Sequence, residues 1–404
     1  MNRVAITGQG IVSPIGNQIQ EVWDALITGK SGIVCMPQWE GVKDLKVKLA
    51  GVCGGYAPKR INRKDRRTMG PMTVMAALTA MDALEQAGIS EDAVRSGRTG
   101  VAMGSTTGSG GIIQTLFDDF SATGGISRLE GTAFMKIMNH SVAANLAATL
   151  GVRGRVISPC AACATSTQAI GMGWEAIRSG AQDIMICGGA DELHPSTAGV
   201  FDVLNAASRQ SEPGNSPRPF DRDRDGLVVA EGGGTLILEN MDHAIARKAE
   251  ILGEITGFHT CCDGAHMTSP QDKGMKDCMA GALASAGCTV REIDYINAHA
   301  TGTSLGDAAE SRAIAMLGGQ KIPVSATKGY TGHTLAASGV METIFCLEMM
   351  GRNTLIPTLN LENVAEDCKG ITHIRELMTK TVNKVMTSNF AFGGINATLI
   401  LKKY

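Results

Sequence analysis

One stretch of the chain places a thiol where it can act as a nucleophile. Val156-Ile-Ser-Pro-Cys-Ala-Ala-Cys163-Ala-Thr-Ser-Thr-Gln-Ala-Ile-Gly171 opens on β-branched residues that read as a strand end, and further on Ile170, Trp174 and Ile177 recur at helical spacing. Cys163 therefore falls at a strand-to-helix turn. The unpaired N–H groups and positive dipole end of a helix favour thiolate over thiol, and the small neighbours Ala161, Ala162 and Ala164 leave room for a carbonyl. The expectation is a covalent acyl carrier. Two plainer readings compete. Cysteine is among the residues most often simply buried. Cys160 and Cys163 also form a C-x-x-C pair, which suits a redox dithiol or half of a zinc site. Zinc would need a second pair at similar spacing, and Cys261-Cys262 is adjacent instead.

Three further turns carry chemistry. His299 lies in His-Ala-Thr-Gly-Thr303, His333 in Lys328-Gly-Tyr-Thr-Gly-His-Thr-Leu-Ala-Ala-Ser-Gly339, and Phe392 in Asn389-Phe-Ala-Phe-Gly-Gly-Ile-Asn396. A lone histidine is usually structural, but two at predicted strand ends in a chain with a primed cysteine point to a site. Neutral imidazoles donating Nε2–H would stabilise an enolate oxygen, and backbone N–H groups at Cys163 and near Phe392 would form an oxyanion hole. Glu310 follows Asp307 by three residues, so it reads either as half of a capping box or as a buried partner for Lys328.

The elements that must position these groups follow from periodicity. Val4 to Gly8 reads as a strand, residues 20 to 27 and 72 to 87 as helices, and Val101 to Gly104 as a strand. Gly104 to Gly111 is glycine-rich but lacks the Lys-Ser/Thr ending and the G-x-G-x-x-G spacing, which excludes nucleotide binding. Residues 112 to 150 form a long insertion, Asp183 to Asp191 a buried strand, and 205 to 218 a loop that leads into an ion-paired turn around Asp221, Arg224 and Asp225. From about residue 251 the order begins again. Ile251 to Gly257 answers Val4 to Gly8, Tyr295 to Thr303 answers the Val101 strand, Ile322 to Lys328 answers the Cys163 unit, and Val385 to Asn389 the Asp183 strand. The pattern predicts an internal duplication, with residues 1–250 carrying the nucleophile and 251–404 the histidines and lysine.

Composition narrows the function. A net charge of −2 over 404 residues argues against a nucleic-acid binder or a polybasic membrane protein. No run approaches the roughly 18 apolar residues of a membrane span. Eleven cysteines, an odd number without framework spacing and with no signal peptide ahead of them, fit reduced thiols in the cytoplasm. The 21 methionines either fill core gaps or line a pocket for flexible apolar chains. Lys59 to Arg67 is the densest basic run, readable as a solvated surface or as a docking patch for an acidic partner.

Taken together, Cys-Ala-Thr-Ser after a strand, His-x-Thr-Gly-Thr, Lys-x-x-x-Gly-His-x-x-x-Ala-x-Gly, Pro219-Phe-Asp-x-x-Arg-Asp-Gly226 and Phe-x-Phe-Gly-Gly-x-Asn resemble the β-ketoacyl-acyl-carrier-protein synthases of the elongating type (I and II), over essentially the whole chain. The resemblance implies an α/β thiolase fold, two duplicated βαβαβαββ halves in five αβαβα layers, dimeric, with the residues before Cys163 forming much of the interface. It implies that Cys163 carries the acyl chain, that His299 and His333 hold the malonyl thioester carbonyl, and that Lys328, with Glu310 its partner, supports them. Thr301 and Thr303 match the threonines that hold a phosphopantetheine arm, and Phe392 resembles the gate of the acyl pocket, next to Phe390. Thr107 and Met138 sit where the family lines that pocket, and Arg63, Lys64 and Arg67 where it docks the acidic carrier protein. No intrinsic cofactor or metal is implied, since phosphopantetheine arrives on acyl carrier protein. Three residues depart from the pattern, Ala300 and Ala391 at usual glycines and Ile395 at a usual threonine. Alternatives are a dedicated polyketide or polyene condensing enzyme paired with a homologous chain, a non-catalytic chain-length-factor-like subunit, and a thiolase. Retention of Cys163, His299, His333 and Lys328 argues against the second. The lack of a second cysteine between Phe390 and Asn396 argues against the third.

Overall fold

The computed structural model describes residues 1–404. In the first half, strands β1 (Val4–Val12), β2 (Thr99–Gly104), β3 (Val156–Ile157), β4 (Ile184–Asp191) and β5 (Gly232–Asn240) pair in the order β3-β2-β4-β5-β1. In the second half, β6 (Gly253–Cys262), β7 (Tyr295–Ala298), β8 (Pro323–Ala326), β9 (Lys384–Ala391) and β10 (Ile395–Lys402) pair as β8-β7-β9-β10-β6. The two orders are the same with five added to each label. The sheets meet at one corner, where Val4 to Ile6 pairs antiparallel with Ile255 to Gly253. β2, β3 and β4 are mutually parallel, and β2 and β4 are buried along their whole length, which explains their mostly apolar composition.

Helix α1 (Pro71–Ala87) and helix α2 (Ser141–Leu150) cover the outer face of the first sheet. Helix α3 (Thr165–Arg178) and helix α6 (Ser338–Arg352) lie between the sheets and touch both. Helices α4 (Asp272–Ala286) and α5 (Ser304–Met316) cover the second sheet outside. These are the five layers of the thiolase fold. The inner layer explains the sequence: α3 buries Ile170, Trp174 and Ile177 together, and α6 is buried nearly all round. Each large side chain so buried contributes roughly 1.5–3 kcal/mol. Trp174 also ties the halves, its Nε1–H donating to Ile255 O at 2.9 Å.

The central helices approach closely because a glycine lets them. A Cβ at Gly339 would lie 1.9 Å from Thr167 Oγ1 and 2.7 Å from Asn389 Oδ1. The residues between β2 and β3 depart from the repeat. They include helices Gly110–Thr123 and Gly131–Ile137, which leave Phe117, Phe120, Phe134 and Met135 exposed, and β3 is an edge strand with Val156 half exposed.

Gly339→Ala is expected to lower stability by about 1–3 kcal/mol through overpacking and to displace Asn389. Thermal unfolding beside a condensation assay checks this; an unchanged melting temperature would mean the helices have slack.

Candidate active site

Both reactive turns are built alike. After β3 the chain makes a short 3₁₀ turn, Ala162–Ala164, and enters α3; after Lys328–Thr331 it makes another, Leu335–Ala337, and enters α6. Each turn begins on a non-glycine residue in the left-handed region, Ala162 at φ 45 and Leu335 at φ 50. Such a backbone costs on the order of 1–3 kcal/mol and persists only where surrounding structure fixes it. Here it aims Cys163 and His333 at each other. Gly332, at φ 73, supplies the bend just before His333, where a Cβ would meet the Val228 carbonyl at 3.0 Å.

Cys163 Sγ lies 2.9 Å from His333 Nε2, across 170 residues of sequence. The reactive atoms of Cys163, His299 and His333 all lie within 4.8 Å of one another, and the imidazole rings meet edge to face at 5.2 Å. They open into a cavity of about 290 Å³ whose wall includes Thr301, Thr303, Phe390, Phe392 and Phe201. Thr301 Oγ1 and Thr303 Oγ1 are 3.1 Å apart on that wall, and the Phe390 and His299 rings lie nearly perpendicular with centroids 6.3 Å apart. Phe392 stacks on Phe201 at 5.5 Å.

A Cys-His-His cluster of this size is also a metal-ligand geometry. Lys328 Nζ, 3.2 Å from His299 Nδ1, puts a positive charge at its edge, and the thiol already occupies His333 Nε2, so the donor set suits acid–base chemistry better than a cation.

Two donors converge on His299 Nδ1: Lys328 Nζ at 3.2 Å and Asn389 Nδ2 at 3.1 Å. Nδ1 must therefore be an acceptor, which leaves the proton on Nε2. Lys328 also donates to His299 O and to Glu342 Oε1, both at 2.5 Å, and Asn389 Nδ2 donates to Glu342 Oε2 at 2.7 Å. Burial, then the Lys328 charge, hold both imidazoles well below the usual histidine range, so both are neutral at neutral pH.

Several expectations change. The partner of Lys328 is Glu342, not Glu310. Glu310 instead accepts the backbone N–H of His299 at 2.8 Å and of Ala300 at 2.7 Å, fixing the turn rather than the lysine. The capping-box reading fails too, because Asp307 lies inside α5 and accepts from Phe220 N and Gly302 N. Nor is Cys163 a resting thiolate: burial pushes its pKa up to about 12, against the opposing pull of Lys328. A helix end is worth at most about 2 kcal/mol, less than the cost of desolvating the anion in this enclosure. Thr107 is exposed and Met138 half-buried, and neither lines the cavity. Arg63, Lys64 and Arg67 lie exposed at a one-turn helix capped by Asn62, none with an acidic partner. Ala391 sits at φ −114 and ψ 160, ordinary for alanine; Gly393 and Gly394 take the left-handed angles. Ala300 is likewise unstrained, and Gly302, at φ 83, makes that bend.

Residues 1–244 match the family model "Beta-ketoacyl synthase, N-terminal domain" and residues 252–362 match "Beta-ketoacyl synthase, C-terminal domain". The chain belongs to the β-ketoacyl synthase family. It is 39% identical to 3-oxoacyl-[acyl-carrier-protein] synthase 1 of Haemophilus influenzae, with all of both chains covered. A β-ketoacyl synthase from Burkholderia phymatum superposes with a TM-score of 0.97 at 41% identity over all of both chains. The ishigamide ketosynthase/chain length factor superposes with a TM-score of 0.93 at 30% identity, covering all of this chain and 99% of that one. As a family member the chain is a condensing acyltransferase with the thiolase fold, which excludes both the plain thiolase and the redox-dithiol readings.

Glu342, Asn389 and Phe201 went unassigned in the sequence. A lone acid within the apolar run Val-Met-Glu-Thr-Ile-Phe, one helix turn past the His333 motif, was the available signal for Glu342. Glu342→Gln removes the counter-charge of a buried ammonium and is expected to cost about 3–5 kcal/mol and most of the decarboxylation activity. Denaturant unfolding with a carbon dioxide release assay reads both. Alkylation of Cys163, followed on its own peptide by mass spectrometry, is expected to rise steadily through the alkaline range. A plateau already reached at neutral pH would show a thiolate instead.

Proposed function

We propose that the chain catalyses decarboxylative Claisen condensation, with Cys163 as acyl carrier and malonyl carrier protein as the second substrate. The observation that carries this reading is the convergence of one thiol and two neutral imidazoles on a single cavity. In the first half-reaction the thiol proton passes to His333 Nε2 as Sγ attacks the acyl thioester. The tetrahedral oxyanion rests on the amides of Cys163 and Phe392, and the departing pantetheine thiolate takes the proton. In the second, the malonyl thioester carbonyl accepts hydrogen bonds from His299 Nε2–H and His333 Nε2–H. The C–CO₂ bond breaks, its electrons form the enolate, and the α-carbon attacks the acyl-Cys carbonyl. The new C–C bond forms as Sγ leaves as a thiolate, which takes one proton from solvent water to restore the thiol. Neutral donors suit this step, since an imidazolium would hand over its proton and quench the enolate.

Lys328 and Glu342 keep His299 in the donor tautomer, while Thr301 and Thr303 offer hydroxyls to the pantetheine arm, the only cofactor-like group the reaction uses. The acidic carrier protein docks on Arg63, Lys64 and Arg67, three free cations on a chain of net charge −2. A homodimer forms through edge strand β3 and the apolar insertion, whose exposed Phe117, Phe120, Phe134 and Val156 would otherwise face water. Thr107, just before that insertion, and Met138, within it, act on the acyl chain only within such an assembly. No helix is long and apolar enough to cross a membrane, and eleven unpaired cysteines support a reducing, cytoplasmic setting.

Cys163→Ala is expected to abolish condensation with acyl- and malonyl-carrier protein; elongation at the parental rate would refute the assignment. Charge reversal of Arg63, Lys64 and Arg67 to Glu is expected to raise the apparent KM for carrier protein, with kcat kept and a weaker dependence of KM on salt. Sedimentation of the purified chain reads its assembly, and a monomer would point to a homologous partner chain.

A further inference from the structure

The two histidines of the site are held differently. His299 Nδ1 faces two groups that can only donate, Lys328 Nζ and Asn389 Nδ2, so its tautomer is fixed. His333 Nδ1 faces a single side chain, Ser338, whose Oγ lies 3.0 Å away. A hydroxyl both donates and accepts, and this one has a second hydroxyl behind it, Thr334 Oγ1 at 3.3 Å. All three residues are almost fully buried, at 1–2% exposure, so water does not replace the contact from that side.

The two half-reactions ask opposite things of His333. For His333 to take the thiol proton of Cys163, 2.9 Å away, Nε2 must accept from S–H; the ring proton is then on Nδ1, where Ser338 Oγ can accept it. Once Cys163 is acylated, Nε2 must carry a proton to hold the malonyl thioester oxygen, and Nδ1 becomes an acceptor for the Ser338 O–H. Between the two states Nε2 takes a proton from water in the emptied cavity, leaving hydroxide, and the Nδ1 proton passes by way of the Ser338 and Thr334 hydroxyls to solvent, where it neutralises that hydroxide, so the charge of the ring does not change.

We propose that Ser338 is a positioning residue that supports both tautomers of His333 and so lets one imidazole serve as base in acyl transfer and as donor in decarboxylation. This rests on the roles given to Cys163 and His333 above. Removing the hydroxyl leaves Nδ1 unpartnered in both states. An orphaned buried N–H is the rarer and costlier of the two, so the tautomer with Nε2 bare, needed for acyl transfer, suffers more.

The test separates the half-reactions in the full-length protein. Burst acylation of Cys163 from acyl carrier protein is followed by intact mass, and carbon dioxide release from malonyl carrier protein is measured independently. Ser338→Ala is expected to slow acylation on the order of tenfold or more while decarboxylation changes several-fold less, with Ser338→Thr restoring the parental ratio. Equal slowing of both, or of neither, overturns the proposal. If Ser338→Ala does not fold, Ser338→Cys, similar in size with a weak donor and acceptor, is put to the same comparison with the same expected order of effects. Cys163→Ala run alongside keeps the readings apart. Acylation elsewhere in that variant defeats the assignment of the nucleophile, whereas an unchanged ratio in the Ser338 variants, with Cys163 acylated in the parent, defeats only the role of Ser338.

Discussion

The rest of the structure depends on one contact, the 2.9 Å approach of Cys163 Sγ to His333 Nε2 across the boundary between the two sheets. Neither group is useful alone. Buried without a base, the thiol would hold its proton; buried without a thiol or substrate to bind, the imidazole would be a neutral ring in a core. Their meeting requires that α3 and α6 pack nearly in contact, which Gly339 permits, and that the turns before those helices adopt left-handed angles at Ala162 and Leu335. The five layers are the device that holds this pair fixed.

Burial does the electrostatic work. Low dielectric keeps sulfur protonated and both imidazoles neutral, and the ion pair at the site is Lys328–Glu342, behind His299. Such a pair seldom adds stability over an apolar equivalent. Its value here is orientation: with Asn389 it decides which nitrogen of His299 carries the proton. The resulting asymmetry, one histidine locked and one free to change, matches a reaction that first removes a proton from sulfur and then stabilises an enolate.

Much of the site was legible from residue types at turns. Cys163, His299 and Lys328 stand among small residues in the turns that follow strands, as their periodicity implies, whereas His333, expected at a strand end, follows the one-turn helix Lys328–Thr331. The duplication was legible as well, from repeated strand and turn order, and the sheet orders β3-β2-β4-β5-β1 and β8-β7-β9-β10-β6 repeat it in space. Glu310 shows where such reading stops. A glutamate three residues after an aspartate and eighteen before a lysine fits a cap or an ion pair equally well, and it proved to hold the His299 turn by its amides.

The sequence by itself determined the elements, their repetition and the residue types that stand at the turns now gathered round the cavity, because helix and strand periods and turn chemistry act over a few residues. Only the tertiary structure decided how those groups are charged and paired. Glu342 rather than Glu310 faces Lys328, and Cys163 rests as a thiol. Both outcomes turn on desolvation and on distances between residues far apart in the chain, and these exist only once the two halves have closed on each other.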